Sequence, residues 1–232
     1  MGNTKHGIDV SSWQGDIDWG VVKNNIDFAI IRAGYGKNNF DEKAKQNVKG
    51  CEDNGIPFGL YWFSYAYTVE MARKEAQYLL QFIEGHTPLF PLYFDFEYDS
   101  VEYAKKQGVV ITNKLLRDMA TAFCEELEGA GYYAGIYANN DYVTRMFGED
   151  IFKTYDLWYA HWDVSEPSRT VNLWQSSSTG KISGISGNVD VNVSFIDFPA
   201  LIKERGLNRY KPEPEFACPH GCPHCPHSIY KG

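Results

Sequence analysis

Apolar residues recur along the chain with two periods, and for the first two thirds of its length the two alternate. Short runs rich in apolar, β-branched and aromatic residues at 7–10, 28–34, 58–65, 92–99 and 133–138 predict strands. Helical spacing fills the gaps. A short helix is expected at 21–25, and a second at 42–53 is stopped by Asn54-Gly55 and Pro57. A long one follows a Thr68 N-cap and runs to 84 with Glu70 in its first turn. Leu115, Leu116, Met119, Phe123 and Leu127 mark one face of the next helix, which Gly129 and Gly131 close, and 142–147 is a short last one. Beyond it the rhythm changes: 157–162, 171–176 and 188–193 read as strands separated only by loops rich in Ser and Gly, and 198–205 as a closing helix. Five strand–helix units followed by three bare strands predict an α/β fold, an irregular TIM-like barrel written (β/α)5(β)3. A doubly wound nucleotide-binding sheet is the competitor, but no Gly-x-Gly-x-x-Gly follows any early strand.

One strand differs from the rest. Leu92-Tyr93-Phe94-Asp95-Phe96-Glu97-Tyr98-Asp99 alternates so that Phe94, Phe96 and Tyr98 point one way and Tyr93, Asp95, Glu97 and Asp99 the other. Carboxylates two residues apart in so aromatic a run need a reason, because burying an unpaired charge is costly. They suit acid-catalysed glycosidic cleavage, in which one protonates the leaving oxygen and the other stabilises positive charge. They equally suit a strand end whose acids only bond backbone or arginine, and the strand alone does not separate the two.

Composition narrows the field. The 232 residues are 44% hydrophobic and 16% aromatic, enough for a large core, and no apolar run reaches membrane-spanning length. A formal net charge of −8 argues against a nucleic-acid partner, which needs a basic footprint, and an anionic polymer would have to be held by local contacts. The segment Met1 to His6 lacks the apolar core of an export signal, so the expectation is either a signal cut away or a protein that leaves the cell by another route. Five cysteines, unevenly placed, do not form the framework of a disulfide-stapled domain; Cys51 and Cys124 fall in helical patterns and are expected to pack as small apolar residues. The organisation expected is an extension over 1–6, a barrel over 7–207 and a Pro/Cys/His-rich tail over 208–232. In the tail Cys-Pro-His occurs three times, and Cys218, Cys222 and Cys225 with one His have the donors for Zn²⁺, although the spacing is not that of a standard finger and an oxidised or disordered tail is the plainer reading.

Active sites of such barrels lie at the C-terminal ends of the strands. Those ends offer Asp9 on strand one, Asp95 and Glu97 on strand four and Asp190 on strand eight; strands one and eight become neighbours on closure, bringing Asp9 toward Asp190. Tyr35, Tyr65, Tyr137, Tyr159, Trp162 and Trp174, at other strand ends, offer flat faces for sugar rings.

Gly7-Ile8-Asp9-Val10-Ser11-Ser12-Trp13-Gln14-Gly15 resembles the opening motif of glycoside hydrolase family 25 lysozymes, the Chalaropsis-type N-acetylmuramidases. The likeness continues through Ile31-Arg32-Ala33-Gly34-Tyr35-Gly36, Phe58-Gly59-Leu60-Tyr61-Trp62, Phe94-Asp95-Phe96-Glu97, Trp174-Gln175 and Gly187-Asn188-Val189-Asp190-Val191-Asn192. It implies the same irregular barrel, acting without a cofactor on the β-1,4 bond between N-acetylmuramic acid and N-acetylglucosamine in bacterial peptidoglycan. Matching positions imply Glu97 as proton donor, Asp95 as second catalytic carboxylate, and Asp9 and Asp190 as supporting acids. A departure stands at His161-Trp162, where a basic or polar residue and Tyr are expected. No metal is expected in the barrel, and a monomer without membrane insertion is. A non-catalytic glycan-binding barrel and a chitinase-like hydrolase are the alternatives; intact Asp95 and Glu97 count against the first, the Gly7–Gly15 and Gly187–Asn192 motifs against the second.

Overall fold

A computed structural model of the chain describes residues 4–212. Its strands are β1 (Lys5–Val10), β2 (Phe28–Tyr35), β3 (Asn39–Phe40), β4 (Phe58–Phe63), β5 (Leu92–Asp95), β6 (Ala134–Asn139), β7 (Asp156–Ala160), β8 (Leu173–Gly180) and β9 (Val189–Ser194). Its α-helices are α1 (Trp19–Val22), α2 (Ala44–Asn54), α3 (Val69–Phe82), α4 (Tyr98–Lys106), α5 (Asn113–Gly129) and α6 (Phe198–Arg205), and the short helix expected at 142–147 is a π-helix over Tyr142–Phe147. Eight strands close in the order β1-β9-β8-β7-β6-β5-β4-β2, with β2 returning to β1. The two-residue β3, which the hydrophobic pattern does not reveal, hangs on the end of β2. No helix among the described residues is long and apolar enough to cross a membrane.

The barrel is mixed rather than wholly parallel. Neighbours from β1 through β2, β4, β5, β6 and β7 to β8 run parallel, but β9 is antiparallel to both β8 and β1. Parallel neighbours need a long crossover, whereas the short loop between β8 and β9 suits an antiparallel return. Asp190 consequently lies near the start of its strand, not the end. The reversal still delivers it to the mouth, directly opposite Asp9 in the β1–β9 register.

Strand alternation sorts the side chains into two cores. Ile8, Ile31, Leu60, Phe94, Ile136, Tyr159 and Trp174 face outward into the layer beneath the helices, where Phe94 meets Phe123 of α5 at 5.1 Å between ring centroids. Phe28, Ile30, Tyr61, Tyr93, Tyr137, Trp158 and Leu173 face inward and plug the barrel. The plug needs small partners: a Cβ on Gly135 would lie 2.5 Å from the Tyr93 ring, and one on Gly7 2.5 Å from Phe28. Cys51 and Cys124 are buried free thiols.

The bottom of the barrel is sealed by a residue just past α6. Asn208 is fully buried at φ +54°, a left-handed conformation that asparagine tolerates. Its amide donates to the carbonyls of Pro88 (2.9 Å) and Phe90 (3.0 Å), and its oxygen accepts the Tyr133 N–H at 2.7 Å. Asn208→Ala strands all three groups away from water. It is expected to lower the unfolding free energy by about 2–4 kcal/mol in urea titrations; an unchanged midpoint would mean those groups find other partners.

Candidate active site

Four carboxylates meet at the mouth, in a cavity of about 320 Å³ lined by Asp9, Asp95, Glu97 and Asp190, with Tyr61, Tyr137 and Trp158 among its other walls. Strand phase puts Asp9, Asp95 and Asp190 on the inner face, and the aromatic plug is their floor: the Trp158 ring lies 4.8 Å from that of Tyr137 and 5.7 Å from that of Tyr61. The cup therefore opens only toward solvent.

Glu97 is not on the strand. β5 ends at Asp95, Phe96 and Glu97 continue extended, and Glu97 is the N-cap of α4, with φ −125° and ψ −172°. Its N–H donates to Ser100 Oγ at 3.1 Å, and its carbonyl accepts from Ser100 N at 3.0 Å. The alternation expected over 92–99 runs on past the strand because these two residues stay extended, and only the cap reveals the helix. A helix N-terminus favours a nearby carboxylate by about 0.3–1 kcal/mol. Burial outweighs it here: with Asp99 and Asp190 adding negative charge, it raises the Glu97 carboxyl to about 7.

Burial likewise pushes Asp95 well above the ordinary aspartate range, and Glu97 and Asp9 add to the rise against the opposing pull of Arg32. Asp95 Oδ1 is buried and has no hydrogen-bond partner among the described residues. Asp9 is also raised, first by burial and then by Asp190, while Asn192 and Gln175 moderate it. Asp190 rises to about 6, again by burial. Asp9 Oδ2 accepts from Gln175 Nε2 (2.9 Å) and Asn192 Nδ2 (2.8 Å), and the same Gln175 amide reaches Asp190 Oδ2 at 3.3 Å. Gln175 Oε1 in turn accepts from Tyr137 and Trp162, both at 3.0 Å, and Asn192 Oδ1 from the Trp158 indole at 2.8 Å. Gln175 thus bridges Asp9 and Asp190, while Asn192 holds Asp9 alone. Neither amide is expected as a site residue from carboxylate spacing; their inward phase beside Asp190 is the signal that finds them.

A second group holds the lip. Arg32 Nε donates to buried Asp41 at 2.9 Å, its guanidinium also reaches Ser12 Oγ at 3.1 Å, and Ser12 N donates to Asp41 at 3.0 Å. Gln14 Oε1 accepts the Ser11 N–H at 2.8 Å. Ser11-Ser12-Trp13-Gln14-Gly15 is thereby a fixed turn, closed by Gly15 at φ +65°, that stands Trp13 83% exposed between the acid cup and the next cavity.

Of the six aromatic residues expected to meet sugar rings, Tyr137 lines the cup and Tyr35 and Tyr65 line the adjoining cavity. Trp162 stands 45% exposed at the rim, bonded to Gln175. Tyr159 and Trp174 do not belong there. The β7–β8 register pairs them on the outer face, in phase opposite to Trp158 and Gln175. Tyr159 is fully buried with its hydroxyl on Asn140 and Ser168, and the Trp174 indole donates to the His161 carbonyl at 2.8 Å. No group of three or more His, Cys, Asp or Glu among the described residues is disposed to hold a metal ion. Cys218, Cys222 and Cys225 lie outside the described residues.

The family model described as glycosyl hydrolases family 25 matches residues 8–185. The uncharacterised protein YegX of Escherichia coli O157:H7 is 31% identical over 202 residues, covering 82% of this chain and 69% of its own. Lysozyme M1 of Streptomyces globisporus is 30% identical over 203 residues, covering 80% of this chain and 66% of its own. The modular autolysin LytC of Streptococcus pneumoniae, solved in complex with a synthetic peptidoglycan ligand, superposes with a TM-score of 0.73 at 26% identity, covering 84% of this chain and 48% of that chain. The chain thus spans about half the length of LytC and about two thirds of lysozyme M1.

Proposed function

The chain belongs to glycosyl hydrolase family 25, and from that premise we propose that it is a muramidase, cleaving the β-1,4 bond between N-acetylmuramic acid and N-acetylglucosamine in bacterial peptidoglycan at the cell wall. The observation that carries this reading is the juxtaposition of a carboxyl raised to about 7, Glu97, with a buried carboxylate that has an unpartnered oxygen, Asp95, in one cup. Glu97 holds its proton near neutrality and delivers it to the leaving glycosidic oxygen. The 2-acetamido oxygen of the muramic ring attacks its anomeric carbon as the bond to the leaving oxygen breaks, giving an oxazolinium-like ion; water, passing a proton back to the now ionised Glu97, then opens it. Asp95 Oδ1 accepts the acetamido N–H and its negative charge steadies that ion. Asp9 and Asp190, bridged by Gln175, seat the sugar and keep negative charge beneath it. Tyr137 and Trp13 supply flat faces for the rings, and Tyr35 and Tyr65 carry the substrate groove onward from them. All four acids come from one chain, so a single copy suffices.

Digestion of purified peptidoglycan followed by mass spectrometry tests the bond. Fragments with reducing-end muramic acid support it, reducing-end glucosamine redirects it to the other linkage, and binding without release makes the barrel a lectin.

The raised carboxyls fix the expected pH dependence. As pH rises through about 7, Glu97 loses the proton it must donate, so kcat/KM for muropeptide release falls. The acid limb, where Asp95 gains a proton, is displaced above the ordinary carboxylate range because Asp95 is raised as well. The limbs belong to the coupled cluster rather than to single residues. A rate that stays flat to pH 9 would remove Glu97 as the acid.

A further inference from the structure

Two lysines stand at the far end of a groove that begins at the acids, and cleavage has no use for either. The acid cup shares Trp13, Arg32 and Phe63 with a second cavity of about 540 Å³, which shares Tyr35, Tyr65 and Asp99 with a third of about 490 Å³ that reaches Lys37 and Lys106. Aromatic rings line it, Tyr65 and Tyr103 lying 5.1 Å apart between centroids. Among the described residues neither Lys37 nor Lys106 has a carboxylate within 4.0 Å or a side-chain hydrogen bond, and Asp99 is equally unpaired, whereas nearby Lys105 pairs with Glu102 at 3.8 Å. The third cavity sets Lys37 and Lys106 against Asp99 and Glu102; with Glu102 held by Lys105, two ammonium groups and one carboxylate are left to meet a ligand that carries both signs of charge.

We propose that this outer groove binds the stem peptide carried by muramic acid, with Lys37 and Lys106 taking its carboxylates, Asp99 a free amine where the stem has one, and the tyrosines its aliphatic parts. The inference rests on the muramidase reading, because that reading puts a muramic ring in the cup from which the groove leads away. Further sugars of the strand are the competing occupant. N-acetylglucosamine is uncharged and the lactyl carboxyl of muramic acid is masked as an amide by the stem, so sugars leave both ammonium groups and Asp99 without partners.

The test compares peptidoglycan with glycan strands stripped of stems by an amidase, using the wild-type chain, Lys37→Ala, Lys106→Ala and the double variant. Wild type should cleave the stem-bearing polymer roughly threefold to tenfold better in kcat/KM, the range two exposed ion pairs can provide. That ratio should shrink with added salt and fall toward one in the double variant. Equal wild-type rates on both polymers, or a double variant that slows both alike, overturns the proposal; a gain that follows the length of bare glycan instead makes the groove a sugar subsite. A wild-type chain that cleaves neither polymer overturns the muramidase reading itself and the stem site with it.

Discussion

Glu97→Gln is expected to lower kcat on purified peptidoglycan by about 10²–10⁴-fold, the contribution of a positioned general acid, while making the protein more stable at alkaline pH. The two effects have one origin. The Glu97 carboxyl lies near 7 because burial beside Asp99 and Asp190 disfavours its charge. In the unfolded chain it titrates near 4.5. Below that value folded and unfolded states both hold the proton and the raised carboxyl costs nothing. Between 4.5 and about 7 the unfolded state releases the proton and the fold does not, so stability falls as pH rises. Glutamine keeps the shape and never ionises. At pH 8 the variant should gain on the order of 1–2 kcal/mol over wild type, after allowance for the coupled acids and the open side of the cup, and the gain should vanish at pH 4. Activity and pH-dependent stability are read from the same preparation by muropeptide release and urea titration. Near-normal turnover would remove Glu97 as proton donor; an inactive variant with no alkaline gain would mean that its carboxyl is not raised.

Much of this architecture is written in one rule, strand alternation, and the errors of sequence reading come from applying it without register. Eight strands and the change of rhythm after Phe147 are visible as hydrophobic period, and Asp9, Asp95 and Asp190 are legible because each interrupts an apolar strand. Tyr159 and Trp174 are equally aromatic but sit one residue out of phase with Trp158 and Gln175, and only the pairing of β7 with β8 shows which phase faces inward. Glu97 is found through the wrong element, because an extended N-cap and a strand share the same backbone conformation. The reversed β9 is hidden for another reason: the alternation of Val189, Val191 and Val193 is the same in either direction, so strand polarity must come from the short preceding loop. Asn208 leaves no hydrophobic trace at all. Its role is made of three hydrogen bonds to segments about 75 to 120 residues distant.

Asp95→Asn should reduce turnover by about 10²–10³-fold, the loss typical when preorganised electrostatic stabilisation of a developing charge is removed. Asparagine keeps the volume and still offers an oxygen to the acetamido N–H, but it lacks the negative charge that steadies an oxazolinium-like ion. Asp95→Ala, which loses both, should be only slightly slower, placing most of the effect in the charge. Substrate chemistry supplies the sharper measurement. Peptidoglycan deacetylated at muramic acid has no acetamido oxygen to attack the anomeric carbon, so wild type should slow markedly on it. If Asp95 acts through that group, the variant and the substrate change remove the same interaction and their effects must not multiply. The doubly altered combination should be little slower than either alone. Fully multiplicative losses would detach Asp95 from the acetamido group. Product anomers observed by NMR during early turnover supply the independent arm: neighbouring-group attack followed by water is a double displacement and retains configuration, so net inversion would eliminate it and leave Asp95 as the base for a directly attacking water.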